Sequence, residues 1–476
     1  MDIINDIILK FNDFLWTYIL IALLLVLGAY FTIRTNFVQF RYLKEMFRLL
    51  GDGFSNKKEK GSISSFQAFC ISTASRVGTG NLAGIAIAIS VGGPGAIFWM
   101  WIIALIGAGS SFVESTLAQI YKEKNEDGSF RGGPAYYMQK GLNKKWMGVL
   151  FSLLITLSFG LVFNSVQSNT ITESFNTAFG VNRLVIGIIL TVLTTIIIFG
   201  GVHRIAKVSE VLVPVMALAY IGIAVIILIM NANEIPSVLK LIVENAFGFK
   251  EVAGGTLGGA LLLGIKRGLF SNEAGMGSAP NAAATATVSH PAKQGLIQTL
   301  GVFTDTLIIC TSTAFIILLS GSNIPLDGSV KGIELTQMAL ISQVGSWGGT
   351  FIAICILLFA FSSIIGNYYY GETNIQFISD KKIYLYLYRI LVAAMVLFGS
   401  IASMDLVWNL ADVFMGLMAI LNLIAIVMLS KIAISALNDY ITQKKSGKNP
   451  VFYASSIKGL GDEVEEWQED AEEYIA

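Results

Sequence analysis

Two glycine-rich stretches hold the residues of this sequence that are best suited to ligand chemistry. The first, SRVGTGNLAGIA at residues 75–86, places Gly78, Gly80 and Ala83 at the G-x-G-x-x-G/A spacing that lets a backbone wrap a pyrophosphate. Such a loop binds a nucleotide only where it follows a strand and opens a helix in a βαβ unit. The elements around the loop therefore decide which ligand these glycines serve.

The composition indicates a chain that lies largely in lipid. Hydrophobic residues make up 54% of it and charged residues 13%, with a mean hydropathy of +0.68. A soluble domain carries about 25% charged residues, so too few charges are present to cover a water-facing surface. The three cysteines lie in apolar runs and are interpreted as buried small side chains, and the two histidines are too few for a histidine-based metal or catalytic cluster.

Long apolar segments predict an all-α membrane protein with eleven transmembrane helices. Residues 14–33 follow three aspartates instead of a basic region, so we interpret them as a retained membrane helix and not as a cleaved signal. The predicted spans are 14–33, 62–90, 95–120, 147–178, 183–200, 207–230, 252–285, 295–320, 342–370, 384–401 and 406–432.

The distribution of basic residues predicts the direction of the chain in the cell membrane. Of the 32 Lys and Arg residues, 23 lie in the alternate connecting segments that begin with 34–60, and five lie in the others. Basic residues accumulate on the cytoplasmic side, so the amino terminus is expected outside and the carboxyl terminus inside. Residues 37–50 are expected to form a helix in the inner interface, and 461–476, with eight acidic residues, a solvated tail.

The first glycine-rich stretch lies in the middle of the second predicted span. A strand with an open edge cannot exist at that depth, because its backbone groups would be unpaired, so a nucleotide-binding βαβ unit is excluded. The glycines, with Thr79 and Asn81, instead predict a helix that is broken halfway across. A second break is predicted in the seventh span, where RGLFSNEAGMGSAPNAAATA (267–286) combines Gly275, Gly277 and Pro280 with polar residues.

Paired broken helices are typical of secondary transporters, where freed amides attract carboxylates and freed carbonyls bind Na⁺. The breaks lie five spans apart, as two inverted five-helix repeats require. The predicted organisation is therefore an extra helix (1–33), an interfacial helix and loop (34–61), two repeats (62–230 and 252–432) and a cytoplasmic acidic tail (433–476).

Ionisable residues within predicted spans are candidates for function because each is costly to bury. Arg76 is expected to form an ion pair with Glu273 or with Glu114, which would either gate the cytoplasmic side or hold the bundle together. Asp305 is expected to bind Na⁺, to supply a fixed negative charge, to exchange protons, or to face a water-filled vestibule. The adjacent Lys266 and Arg267 complete the set.

At these residues the chain resembles the alanine/glycine:cation symporters, also called sodium:alanine symporters, of the amino acid–polyamine–cation superfamily. GGPGAIFWMWIIALIG (92–107) is similar to one family signature and RGLFSNEAGMGSAP to another, and the resemblance extends to about residue 432. It implies the five-plus-five inverted repeat of neurotransmitter:sodium symporters with one added helix. VGTGN (77–81) and FSNEAGMG (270–277) resemble the broken helices of that wider group.

The resemblance also implies roles for individual residues. Amides of Gly78, Thr79 and Gly80 would hold the substrate carboxylate, and Gln167 is the polar candidate for its amine. The remaining assignments are one Na⁺ site with Asn81 and Ser271, a second with carbonyls of Ala74 and Val77 and hydroxyls of Ser362 and Ser363, and side-chain pocket walls at Phe270 and Met276.

Asn367 departs from the tryptophan found in many family members. At the site, this asparagine would enlarge the pocket and add a donor and an acceptor, which alanine does not need. The predicted function is thus Na⁺-coupled symport of a small neutral amino acid, alanine or glycine, with glutamine or another larger one as an open alternative.

The rival functions differ in what they would require. A proton-coupled symporter of the same fold would use Asp305 or Glu273. A channel would need a repeated filter loop, which is not seen. A membrane enzyme would need a soluble catalytic region. We expect no enzymatic activity, no cofactor beyond Na⁺ as the coupling ion, and no nucleic-acid partner.

Overall fold

A computed structural model describes residues 2–55, 62–125, 128–248, 257–460 and 464–468. The described chain is almost entirely helical, and one two-stranded antiparallel sheet, Glu123–Lys124 with Phe130–Arg131, lies between helices. This confirms the predicted all-α class. The main helices run Asp2–Phe14, Ile21–Arg34, Val38–Arg41, Leu43–Ser55, Ser65–Arg76, Ile85–Gly92, Ala96–Ile120, Pro134–Lys140, Lys145–Ile155, Asn164–Phe179, Arg183–Ile198, Gly201–Met230, Ile235–Ala246, Leu257–Asn272, Ala279–Ala283, Pro291–Phe303, Thr311–Leu318, Gly332–Val344, Trp347–Ile378, Lys382–Ile401 and Met404–Lys445.

Wider π-helical turns join several of these helices end to end, and each such set forms one continuous helix, called a rod below. Within the described residues, eight rods are long and apolar enough to cross a membrane. They are Ile8–Arg34, Ala96–Ile120, Lys145–Phe179, His203–Met230, Pro291–Leu318, Trp347–Ile378, Lys382–Ile401 and Met404–Lys445. The other three predicted spans correspond to two broken helices and to the shorter Arg183–Ile198, so the count of eleven remains a prediction.

Both predicted breaks are present. The first broken helix consists of Ser65–Arg76 and Gly80–Gly92, and between them Val77 has an extended backbone (φ −82°, ψ 92°). The second broken helix consists of Leu257–Asn272 and Ala279–Ala283, and three residues between them, Glu273, Gly275 and Gly277, have positive φ. Each break leaves backbone amides and carbonyls inside the protein without their helical hydrogen-bond partners.

Long helices on either side hold the two breaks together. Ala96–Ile120 packs along Leu257–Asn272 and Pro291–Phe303, and Trp347–Ile378 packs against Ser65–Arg76. Gly366 allows the second contact, because a Cβ there would lie 3.0 Å from the Ser75 amide nitrogen. The two broken helices therefore share one buried centre.

The predicted interfacial segment is helical and is tied to the last helix. Glu45 forms ion pairs with Arg48 (2.7 Å) and Lys444, and the Tyr440 hydroxyl donates to it at 2.6 Å. Burial raises the pKa of Glu45, but these hydrogen bonds outweigh the burial and lower it to about 2. Leu43–Ser55 is thus fastened to the end of Met404–Lys445.

The carboxyl-terminal region differs from the predicted solvated tail. The last helix continues to Lys445, thirteen residues past the predicted end at 432. Phe452 and Trp467 are buried, with the Phe452 amide bonded to the Ser289 carbonyl (2.9 Å) and the Trp467 indole N–H to the Gln119 carbonyl (3.0 Å). Trp467 within the acidic segment 461–476 and Phe452 before it supply the apolar surface for this packing. Most of the acidic residues of that segment lie outside the described chain.

Candidate functional site

The first break is closed on one side by hydroxyls of Trp347–Ile378. Ser363 Oγ lies 2.9 Å from the Ala74 carbonyl oxygen, 3.3 Å from that of Val77 and 3.0 Å from that of Phe359. Ser362 Oγ lies 3.4 Å from the same Ala74 oxygen. The four residues expected from the resemblance thus meet in one place. Ser362 and Ser363 have one hydroxyl proton each, and three carbonyl oxygens lie around them. The site between the first break and Trp347–Ile378 therefore has oxygen lone pairs that no hydroxyl proton occupies.

Gly78 is the residue that makes this meeting possible. A Cβ at Gly78 would lie 2.3 Å from Ser363 Oγ and 2.8 Å from Gln167 Oε1. Any other residue would therefore push both side chains away from the break.

The amides of the first break are occupied by side chains of the protein itself. Asn81 Oδ1 accepts from the Gly78 N–H (2.8 Å), and Gln167 Oε1 accepts from the Thr79 N–H (3.0 Å). Within the described residues, the buried Thr79 hydroxyl has no hydrogen-bond partner. Two amide oxygens thus stand where the sequence predicted a substrate carboxylate, and Gln167 contacts the break through its oxygen.

A fully buried carboxylate, Asp305, joins the two breaks. It accepts hydrogen bonds from Asn81 Nδ2 (2.6 Å), Ser271 Oγ (2.8 Å) and Thr306 Oγ1 (3.0 Å). Cys310 Sγ lies 3.2 Å from Asn81 Nδ2 and 3.1 Å from Ser271 Oγ. Sequence reasoning missed Thr306 and treated Cys310 as apolar packing. The available signal was their position, one and five residues after Asp305.

Aromatic rings cover the other side of the first break. Phe270 packs onto Phe163 and Trp408, each with ring centroids 4.7 Å apart, and a Cβ at Gly80 would lie 2.9 Å from the Phe270 ring. Met276 is buried within the second break, and its amide donates to the Glu273 carbonyl at 3.2 Å. The structure therefore places Phe270 against the first break and Met276 in the second.

Asn367 belongs to a hydrogen-bonded group that also joins the breaks. Ser75 Oγ lies 2.7 Å from both Glu273 Oε1 and Asn367 Oδ1, and Ser278 Oγ donates to Glu273 Oε2 at 2.6 Å. The single Ser75 proton cannot serve two oxygens, and turning the Asn367 amide by 180° would satisfy both contacts. In either orientation one polar atom of this buried amide lacks a partner among the described residues.

Arg76 lies among three carboxylates but forms no ion pair with either of its two predicted partners, Glu114 and Glu273, among the described residues. Its guanidinium interacts electrostatically with Glu114, Glu273 and Asp305. Its Nη1 donates to the Gln298 carbonyl at 3.2 Å, and no ion pair joins it to Glu114 or Glu273 in the part of the chain that the structure describes. A direct gating pair is therefore not formed in this conformation.

The Lys266–Arg267 pair has a different partner, which sequence reasoning did not identify. Asp412 Oδ2 lies 2.5 Å from Arg267 Nη2 and 3.3 Å from Lys266 Nζ, and all three side chains are buried. The Arg267 guanidinium also lies 4.6 Å from the Trp408 ring centroid. The pair fixes Leu257–Asn272 to the last helix.

Long apolar helices around two broken helices, with buried polar groups at the breaks, are the architecture of a multi-pass membrane transporter. The chain belongs to the sodium:alanine symporter family, whose model matches residues 1–454.

Relatives resemble the chain over nearly its whole length. The "Probable sodium/glutamine symporter GlnT" of Bacillus subtilis (strain 168) is 63% identical over 448 residues, which cover 94% of this chain and 93% of that protein. The "Amino-acid carrier protein AlsT" of the same organism is 56% identical, with 97% of each chain covered. The "Sodium/alanine symporter AgcS" of Methanococcus maripaludis is 37% identical, with 89% of this chain and 94% of that one covered. These similar proteins are transporters, so a transport function and not an enzymatic one is supported.

Proposed function

We propose that this protein is a Na⁺-coupled symporter that imports a neutral amino acid by alternating access, with glutamine as the preferred substrate and alanine as the alternative. The amino terminus would face outward and the carboxyl terminus the cytoplasm. The observation that carries the proposal is the convergence of oxygen atoms at the first break, supported by the names of the similar proteins.

One Na⁺ site would lie between the first break and Trp347–Ile378. Carbonyl oxygens of Ala74 and Val77 and the hydroxyl oxygens of Ser362 and Ser363 already share a small volume. Oxygen atoms, charged or uncharged, are the ligands that a hard cation such as Na⁺ prefers. A Na⁺ there would join the first broken helix to Trp347–Ile378, and its loss would let the two separate.

The second Na⁺ site would lie beside Asp305. Asn81 and Ser271, one from each broken helix, both contact this carboxylate. A Na⁺ bound by the Asp305 carboxylate, the Ser271 hydroxyl and Asn81 Oδ1, which here accepts from the Gly78 amide, would favour a substrate carboxylate on the amides of Gly78, Thr79 and Gly80. Substrate and ion would then each bind better when the other is present, which is the thermodynamic basis of coupling. Binding would require Asn81 and Gln167 to leave these amides.

The charges around the breaks agree with cation coupling. One arginine, Arg76, faces three carboxylates, so the centre carries an excess of negative charge unless cations or protons enter it. Proton coupling through Asp305 or Glu273 is the alternative that this same excess supports. The two differ in which gradient drives uptake.

Asn367 supports glutamine as the substrate. Its amide bonds Ser75, which in turn bonds Glu273 of the second break, and one polar atom of the amide has no partner in the part of the chain that the structure describes. A carboxamide side chain on the substrate could pair with that atom, whereas the methyl group of alanine could not.

The test is uptake of labelled glutamine and of labelled alanine into proteoliposomes, with and without an inward Na⁺ gradient, for the unmodified protein and Asn367→Trp. We expect Na⁺-driven uptake of glutamine that Asn367→Trp removes while alanine uptake continues. Uptake of alanine alone, unchanged in the variant, would return Asn367 to a packing role. Uptake that follows a pH gradient and ignores Na⁺ would overturn the sodium assignment.

A further inference from the structure

The second break contains an internal anion, Glu114, that the proposed transport mechanism does not use. Glu114 lies on Ala96–Ile120, a helix that is not itself broken, and its side chain is completely buried. One carboxylate oxygen accepts from the Gly275 N–H at 3.0 Å, and the other accepts from the Gly277 N–H at 3.1 Å. The carboxylate therefore spans the turn between the two halves of the second broken helix.

The backbone of this turn has the form of an anion-binding nest. Gly275 and Gly277 have φ of 83° and 87°, and this left-handed geometry turns their amides toward the same side. The Met276 amide between them donates to the Glu273 carbonyl (3.2 Å), so the two glycine amides alone form a site of partial positive charge that suits a small anion. The conformation depends on glycine at both positions.

A third donor completes the pocket. Asn422 Nδ2 donates to Glu114 Oε2 at 2.8 Å and to the Gly275 carbonyl oxygen at 2.9 Å, and the Tyr137 hydroxyl bonds Asn422 Oδ1. The Tyr137 contact fixes which end of the Asn422 amide faces Glu114. The Glu114 oxygens thus meet N–H donors from three residues, and no cation forms an ion pair with them in the described chain.

We propose that Glu114 is a positioning residue that acts as a built-in anion: it holds the second break in its transport-competent shape, and a small free anion can replace its carboxylate when the side chain is truncated. The part that concerns transport rests on the proposed function. Gly275 and Gly277 follow Ser271 and Glu273 within a few residues, so a collapse of the turn would displace Ser271 from Asp305 and Glu273 from Ser75.

Two substitutions distinguish this role from simple packing. Glu114→Ala leaves a cavity with the amides of Gly275 and Gly277 exposed in it, and formate or chloride fits such a space. Glu114→Gln keeps the volume but turns an NH₂ group toward N–H donors, and it leaves no room for a free anion. Packing alone would make the Gln variant the better of the two, whereas an anion site makes only the Ala variant rescuable.

The experiment measures uptake of labelled glutamine and alanine into proteoliposomes in sodium gluconate, sodium chloride and sodium formate, at one fixed Na⁺ gradient. We expect Glu114→Ala to fall at least tenfold in gluconate and to recover at least fivefold in formate or chloride. Glu114→Gln should be equally impaired and should not recover. The unmodified protein and Asn422→Ala, which both keep the carboxylate, should respond equally little to the change of anion.

Thermal unfolding of the purified proteins is measured in the same salts, with Glu114→Ser as a second truncation. Formate should raise the unfolding midpoint of the Ala and Ser variants and leave the Gln variant unchanged. The proposal is overturned if truncated variants transport normally in gluconate, if neither anion restores uptake and stability, or if Glu114→Gln outperforms Glu114→Ala. If the unmodified protein transports neither amino acid, the proposed function fails, and anion-dependent unfolding still decides the role of Glu114.

Discussion

The Ser363 hydroxyl oxygen lies 2.9 Å from the carbonyl oxygen of Ala74, and this contact joins Trp347–Ile378 to the last turn before the first break. The same hydroxyl reaches the Val77 carbonyl at 3.3 Å. A single serine thus bridges the end of a helix and the first residue of the break, which makes its removal an informative change.

Ser363→Ala is expected to raise the Na⁺ concentration for half-maximal uptake by about tenfold, because the proposed Na⁺ site would lose one of its few oxygen ligands. The stability loss should be only about 1 kcal/mol, the usual net value of one hydrogen bond. Uptake measured across a Na⁺ series gives the first number, and denaturant or thermal unfolding gives the second.

Ser168→Ala is the control for Ser363→Ala, because Ser168 is a buried serine whose hydroxyl also bonds a carbonyl of another helix, that of Val396 at 2.6 Å. It should lose similar stability while its Na⁺ dependence stays unchanged. An equal shift in both variants would show that Ser363 acts through packing alone.

Asp305→Asn is expected to reduce Na⁺-driven uptake more than tenfold. The change removes the negative charge and places an NH₂ group where Asn81, Ser271 or Thr306 now donates, so donors would face donors. Uptake is compared under a Na⁺ gradient and under a pH gradient.

The matched control for Asp305→Asn is Asp405→Asn, an exposed aspartate at the start of the last helix, which should leave uptake unchanged. If Asp305→Asn keeps its Na⁺ dependence and loses only a response to pH, Asp305 carries protons. If it keeps both, the carboxylate is outside the coupling site.

Gly78→Ala is expected to abolish uptake and to cost about 1–3 kcal/mol of stability, since the new methyl group would overlap Ser363 and Gln167. Gly222→Ala is the counterpart, because a Cβ at this helical glycine has no neighbour within 4 Å. It should gain about 0.5–1 kcal/mol and transport normally. Normal uptake by Gly78→Ala would mean that the first break does not need its close approach to Ser363.

Glu45→Gln is expected to destabilise the protein by about 1–2 kcal/mol at pH 7, because the lowered pKa of Glu45 reports stabilisation of its ionised form by Arg48, Lys444 and Tyr440. For a carboxyl with a lowered pKa, the stabilisation is complete above its ordinary value of 4.5 and is lost as the pH falls toward 2. The difference in unfolding midpoint between the two proteins should therefore shrink from pH 7 to pH 3.

Glu244 is half-buried and pairs with the exposed Lys240 at 3.7 Å, so it provides the comparison for Glu45. Glu244→Gln should change stability by less than about 0.5 kcal/mol at any pH in this range. A pH-independent loss in Glu45→Gln would assign the effect to side-chain packing.

Sequence reasoning located both breaks because glycines beside polar residues in an apolar run leave few structural choices. It placed Ser363 with Ala74 through the family resemblance. It did not find Ser75, Thr306 or Asp412, because the rotation of each helix decides which polar residue faces a partner, and nothing in local sequence fixes that rotation.

Two other errors have compositional causes. The acidic charge of 461–476 predicted a solvated tail, whereas Trp467, in the part of it that the structure describes (464–468), is buried, as is Phe452 just before it. The helices Ile235–Ala246 and Gly332–Val344 were not predicted because each is too short to span a membrane and lies between longer segments.

The packed carboxyl-terminal segment has a practical consequence for handling the protein. The Phe452 and Trp467 rings meet edge to face with centroids 5.4 Å apart, and these residues bond the carbonyls of Ser289 and Gln119. Gln119 in turn donates to the Ala286 carbonyl just past the second broken helix. An affinity tag or fluorescent protein fused after residue 476 would therefore lie close in sequence to a contact that supports this helix. A tag at the other terminus, or a cleavable linker, is the safer choice for measuring transport rates.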